Sequence, residues 1–162
     1  MNASPSPASS LSVWEMNYLL SKIKVKDVMT KVVLTVTEDT PIEEAARIMA
    51  DNKIGGLPVM RAGQVAGIIT ETDLFKIFLE LMGAREAGVR ATILVLDKPG
   101  QLAQITRVVA NMGGNVVAFG QFTGEDLSNR LVTFKVSGLS EDQLRAEIEP
   151  IVVKIIDMRT TR

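Results

Sequence analysis

The stretch Gly67-Ile68-Ile69-Thr70-Glu71-Thr72-Asp73-Leu74 changes its periodicity in mid-course. Val65 to Ile69 reads as a strand, while Thr70-Glu71-Thr72-Asp73 opens a helix that runs to about Met82. Such a junction gathers free backbone N–H groups and the positive end of a helix dipole at one point, which suits an anion such as phosphate. The Thr70 hydroxyl adds a donor there. Asp73, one helical turn on, offers a carboxylate to ribose hydroxyls, and Gly67 lets a ligand or a neighbouring backbone come close. Thr-x-x-Asp is equally a capping box, in which the two residues satisfy each other's amides. Both readings stand on these residues, and a ligand can displace a cap.

Upstream, Arg61-Ala62-Gly63-Gln64 is a turn, so Leu57-Pro58-Val59-Met60 and Val65–Ile69 form a hairpin, with Pro58 where no ladder donor is needed. Thr40-Pro41-Ile42-Glu43 predicts a helix start: Thr40 caps, Pro41 takes the first helical position and Glu43 closes a capping box. Ile42, Ala45, Ala46 and Met49 follow at helical spacing, and Gly55-Gly56 end the helix or the turn after it. Val32 to Val36 predicts a strand. Leu11 to Ile23 predicts a short helix capped by Ser10 or Ser12, behind a flexible Ser/Pro/Ala lead-in over residues 1–10. Its Trp14 reads as a core or interface anchor rather than a ligand-stacking platform. The helix with Leu74, Phe75, Ile77, Phe78, Leu79, Leu81 and Met82 is apolar nearly all round. One small domain cannot bury every side of it, so it needs a partner surface.

Gly83 to Gly88 breaks the pattern and marks a domain boundary. Beyond it come a strand (Arg90 to Leu96), a turn (Asp97-Lys98-Pro99-Gly100), and a helix with Leu102, Ile105, Val109 and Met112 on one face, stopped by Gly113-Gly114. A strand from Asn115 to Gly120, a polar loop from Thr123 to Asn129 and a strand from Leu131 to Val136 follow. Ser140 with Gln143 boxes the start of a helix holding Leu144 and Ile148, Pro150 interrupts it, and Val152 to Met158 is the last strand. This is the ferredoxin-like order βαββαβ. Within it, Asp97-Lys98-Pro99-Gly100-Gln101-Leu102 and Gly113-Gly114-Asn115-Val116-Val117 set an anion-friendly helix start against a strand entered through glycines. The same residues are also a plain turn and a helix stop.

The chain's 162 residues suffice for one ordinary domain or two small ones, and 46% hydrophobic against 23% charged residues excludes general disorder. Lys plus Arg is 18 and Asp plus Glu is 19, which leaves no basic footprint for nucleic acid or an anionic membrane. Without cysteine there are no disulfides, thiol nucleophiles or thiolate metal sites; without histidine the commonest general base, the Ser-His triad and most zinc sites are gone. Glu43-Glu44 and Glu141-Asp142 lie in first helical turns, where they read as solvated dipole partners rather than acid–base pairs. No apolar run approaches the ~20 residues of a membrane helix, and the N-terminus lacks the regions of a secretory signal. No catalytic or metal-ligating set is visible. The expectation is a soluble cytoplasmic protein that binds a small molecule, not an enzyme.

Asp27-Val28-Met29-Thr30, Thr40-Pro41 with Glu-Glu-Ala-Ala after it, Leu57-Pro58-Val59 and Gly67-Ile68-Ile69-Thr70-x-x-Asp73-Leu74 together resemble a CBS motif. The resemblance implies that Thr70 contacts phosphate, Asp73 contacts ribose, and backbone at Gly56, Leu57 and Pro58 holds adenine, with AMP, ATP or S-adenosylmethionine as candidate ligands and no required cofactor. CBS motifs work in pairs and this chain has one, so two chains are expected to pair theirs. Residues 4–23 resemble the linker that follows a first motif, as in a longer CBS–CBS–ACT architecture or a single-motif version of it. From about Val89 the chain resembles an ACT domain. This implies effector contacts at Asp97, Gly100 and Leu102, and at Asn115, Val116 and Val117, often with the two sets on different chains.

The expected fold class is α+β, divided into a linker and helix at 1–23, a CBS motif (βαββα) at 24–84 and an ACT domain at 89–162. CBS followed by ACT resembles the acetoin-utilisation AcuB-like proteins. The implied function is a regulatory sensor, a homodimer or higher homo-oligomer, with a nucleotide at one half and a small amino-acid-like effector at the other. The alternative is an oligomerisation module, or the regulatory subunit of a separate enzyme, with no small ligand.

Overall fold

The computed structural model describes residues 12–162. The first half comprises α1 (Val13–Lys22), α2 (Val25–Val28), β1 (Val36–Thr37), α3 (Ile42–Asn52), β2 (Gly56–Arg61), β3 (Gln64–Thr70) and α4 (Glu71–Leu81). The second comprises β4 (Gly88–Leu96), α5 (Gln101–Asn111), β5 (Asn115–Thr123), β6 (Asn129–Ser137), α6 (Glu141–Ile148), a 3-10 turn (Glu149–Ile151) and β7 (Lys154–Thr161). Two sheets result. One is three-stranded, ordered β1-β2-β3, with β1 parallel and β3 antiparallel to β2; the other is antiparallel, ordered β5-β6-β4-β7. The second order is the ferredoxin-like one, so the α+β reading of both halves holds.

Local signals placed most elements. Ser12 caps α1 in a box with Glu15, while Ser10 and the lead-in expected over residues 1–10 lie outside the described residues; Thr70 and Asp73 box α4; Ser140 and Gln143 box α6. The β2–β3 turn puts Ala62 and Gly63 at φ 49° and 78°, the two left-handed central residues that match a two-residue hairpin to strand twist. Two expectations fail. Thr40 does not cap α3: its Oγ1 accepts the Thr37 amide at 3.0 Å, bracing the turn after β1, so Pro41 becomes the N-cap and no box forms with Glu43. The helix itself ends through Lys53 in the left-handed region, and Gly55-Gly56 end the turn after it, the second of the two readings of that pair. Of the strand expected over Val32 to Val36, only Val36 belongs to β1, because no neighbouring strand faces Val32, Val33 and Leu34, and all three are exposed.

The two cores differ in size. Around β4 and β6, twelve buried residues, from Val89 through Phe134 to Met158, pack between the sheet and α5 and α6. Among the described residues of the first half, Val36, Ala45, Met49 and Leu57 form the buried core. None of the ten residues of α1 is buried, and none of α4. Trp14 is 85% exposed, so it is not a core residue. Phe75, Phe78 and Leu81 on α4, with Val65 and Ile68 on β3, form an apolar exterior that a small monomer rarely leaves open.

Candidate functional site

Gly56 lies directly opposite Thr70 across the β2–β3 ladder, followed by the pairs Leu57–Ile69 and Pro58–Ile68. The hairpin therefore delivers Gly56 to the N-terminus of α4. A Cβ at Gly56 would meet the Ile69 carbonyl oxygen at 3.2 Å and the Thr70 methyl at 3.5 Å, so the missing side chain keeps this corner open. Because β1 pairs with β2 only at Val59 and Met60, the chain before it stands off from Gly56. The gap is a cleft of about 290 Å³ lined by Thr30, Val33, Leu34, Asn52, Ile54 and Gly56, among others. Sequence reading missed the Thr30–Leu34 wall. Its signal was a β-branched run that reads as a strand unless one knows it has no partner.

At the mouth of α4 the cap is fully formed. The Thr70 hydroxyl donates to Asp73 Oδ2 at 2.7 Å, the Thr70 amide donates to the same oxygen at 3.0 Å, and the Asp73 amide donates back to Thr70 Oγ1 at 3.4 Å. The Glu71 amide is taken by the Gly55 carbonyl at 3.1 Å. These bonds, the Thr70 hydroxyl first and its amide second, hold the Asp73 carboxyl below the usual carboxylate range, with a smaller contribution from Lys76. Thus Gly56, Thr70 and Asp73 are brought together, while the Leu57 side chain is fully buried in the core and leaves only backbone to offer a ligand.

In the second half, Asp97, Gly100 and Leu102 line an open pocket of about 470 Å³ between the end of β4 and the start of α5. Gly100 is the N-cap of α5 at φ 85°, a conformation that glycine adopts without strain, and no side chain caps the helix. The Asp97 carboxylate accepts from the guanidinium of Arg130, at the start of β6, at 3.0 Å from Nε. Arg130 and Gln121 also line this pocket and were not legible as site residues, since register alone places them beside Asp97.

Asn115, Val116 and Val117 lie elsewhere. Asn115 pairs with Ser137, whereas Leu96 pairs with Asn129 at the other end of β6. At ~3.4 Å per residue the two ends are separated by about 27 Å. Val116 packs against the core, and the register shift between Val116 and Ala118 leaves Val117 as the bulged residue. One chain does not join the two halves of this expected site. Among the described residues, no group of three or more Asp or Glu is placed to hold a metal ion, and no helix is long and apolar enough to cross a membrane.

Comparison with known proteins agrees with this geometry. Residues 25–80 match the family model for the CBS domain, and residues 89–152 match that for the ACT domain. The chain carries a CBS domain followed by an ACT domain. This pair marks a regulatory ligand-binding module. The chain is 29% identical to an uncharacterised protein of Methanocaldococcus jannaschii over 93 residues, which are 56% of this chain and 50% of that protein. It is 45% identical to a homoserine O-acetyltransferase of Methanosalsum zhilinae over 71 residues, 41% of this chain and 14% of that protein. With a CBS domain-containing protein of Bacillus subtilis it shares 40% identity over 50 residues, 31% of this chain and 36% of that protein. The chain thus spans half or less of these relatives.

Proposed function

We propose that the chain is a regulatory sensor that binds an adenosine-type nucleotide at the CBS domain and a small amino-acid-like effector at the ACT domain. The observation that carries this reading is the cleft beside Gly56, with Thr70 and Asp73 across the ladder at the start of α4. Phosphate takes the place of part of the cap at Thr70, ribose hydroxyls donate to Asp73, and adenine lies along the backbone of Gly56, Leu57 and Pro58. AMP, ATP and S-adenosylmethionine are the candidate ligands, and the role needs no cofactor.

The cleft's volume is at the lower edge of the roughly 300–1,000 Å³ of small-molecule sites, which supports completion by a second chain. The open apolar face of α4 and β3 supports a homodimer or higher homo-oligomer paired through the CBS domains. Pairing of ACT domains sets Asp97, Gly100 and Leu102 of one chain against Asn115, Val116 and Val117 of the other. Each ligand then favours one arrangement of the paired chains, and the coupling is reciprocal. The domain order supports kinship with the acetoin-utilisation proteins and a cytoplasmic, non-enzymatic role without nucleic acid or membrane partners. Similarity to part of an acetyltransferase supports a regulated enzyme as a further partner.

A second reading, an oligomerisation module without a small ligand, is favoured by the cap itself, which already engages Asp73 with Thr70 and Lys76. Calorimetric titration of AMP, ATP and S-adenosylmethionine into the intact chain and its Asp73→Asn variant separates the two. The variant keeps an acceptor for the Thr70 amide. Saturable heat that the variant weakens or loses is the expected result. No heat from any of the three would leave Thr70 and Asp73 as a helix cap alone.

A further inference from the structure

Lys135 sits near the C-terminal end of β6 and is only 4% exposed. In a strand of alternating faces its position belongs to the sheet surface away from α5 and α6, where solvent would be expected. That surface is covered locally by the chain between the two domains. The ammonium of Lys135 donates to the carbonyl of Gly83 at 2.7 Å and to that of Glu86 at 2.9 Å, residues 52 and 49 positions earlier. Among the described residues, no carboxylate pairs with it. A buried cation without a counter-charge persists only where fixed dipoles replace its water. Here the dipoles are carbonyls of the segment that follows α4, on the side of the helix where its macrodipole is negative.

The far side of the contact is shaped to receive it. Gly83 takes φ 55° just past α4, and the amides of Gly83 and Ala84 reach back to Glu80 and Leu79, closing the helix in a Schellman turn. The Gly83 amide and those carbonyl partners leave its own carbonyl free to face Lys135 as well as the Glu86 amide. A Cβ on Gly83 would approach the Ala118 Cβ of β5 at 3.1 Å. Next to it the Met82 sulfur lies 3.5 Å from the Cβ position of Gly120. The helix that begins at Thr70 and Asp73 therefore ends pressed on β5 and held to β6.

We infer that Lys135 is a positioning residue that latches α4 to the ACT sheet, so that the CBS helix and the ACT domain move as one body. A shift of α4 at its Thr70 end is delivered to β5 and β6 through this latch. What the lever reports rests on the nucleotide reading above; the latch itself does not, and its test uses no ligand.

The junction carries its own probe, because Arg85 is exposed between Gly83 and Glu86, while Arg107 is exposed on α5 within the ACT domain. Trypsin is applied to the intact chain, to Lys135→Met and to Gly83→Ala. The second variant disturbs the same contact from the other side and leaves β6 untouched. Two hydrogen bonds from a charged donor are lost in Lys135→Met, so cleavage after Arg85 is expected to accelerate at least about tenfold. Cleavage after Arg107 keeps its wild-type rate. Amide relaxation measured on the same proteins gives one tumbling time for both domains in the wild type and two in the variants. An unchanged Arg85 rate in both variants, or a rise at Arg107 in step with Arg85, overturns the latch. The second pattern would mean that Lys135 only supports the ACT fold. Failure of AMP, ATP and S-adenosylmethionine to bind would remove the nucleotide reading and leave this result standing.

Discussion

Phe78→Glu tests the pairing of CBS domains. Phe78 is 53% exposed on α4, a helix with no buried residue, so the change leaves the core of one chain intact. A phenylalanine offers roughly 200 Å² of surface, of which about half here awaits a partner. At about 25 cal/mol/Å² that open half is worth up to about 2.5 kcal/mol when covered. A two-fold contact counts it on both chains, for about 5 kcal/mol, or between three and four powers of ten in the dissociation constant. Burying a carboxylate in its place adds a desolvation penalty. Sedimentation equilibrium is the assay. The wild type is expected at twice the chain mass of 17.6 kDa or more, and the variant at a smaller average mass over the same concentration range, with an unchanged circular dichroism spectrum. Equal masses for the two proteins would refute the argument. So would a variant that loses its helix signal, since Phe78 would then hold the chain's own fold. Leu74→Glu serves as the contrast: Leu74 packs on the small core, and its replacement should unfold the CBS domain instead.

Two further outcomes follow from the same structure. The Asp73 carboxyl is held below its ordinary value of 3.8 by Thr70, so the cap's contribution is complete above that value and fades as pH falls through the lower, folded one. The difference in melting temperature between wild type and Thr70→Val should therefore be constant above about pH 5 and shrink below it; a difference that grows on acidification would contradict the cap. Leu57→Ala truncates one of the four buried side chains of the CBS core and should cost about 2–5 kcal/mol. Hydrogen exchange should report that loss in β2 and β3, with protection in β4 and β6 preserved; loss in both sheets together would show that the domains unfold as one unit.

Much of the CBS fold was legible because its signals are local. The box of Thr70 and Asp73 involves residues three apart, and the Ala62-Gly63 turn needs only two adjacent left-handed residues. Thr40 shows the limit of such signals. Its hydroxyl had two local claimants, the α3 amides and the Thr37 amide, and chain direction after β1 decided for Thr37. Val32 to Leu34 had the composition of a strand, but strand formation requires a neighbour, and β2 pairs with β1 only from Val59 onward.

The sequence by itself determined the order of elements, the two domains and the apolar excess of α4, because these follow from local periodicity and turn residues. Tertiary structure alone decided three things. It placed Asn115 at the far end of the sheet from Asp97, because antiparallel register carries β5 away from the end of β4. It set Arg130 against Asp97, 33 positions apart. It buried Lys135 under the chain between the domains. A lysine on the outer face of a strand reads as solvated, and only the covering segment, brought from about fifty residues away, turns its charge into a contact between CBS and ACT.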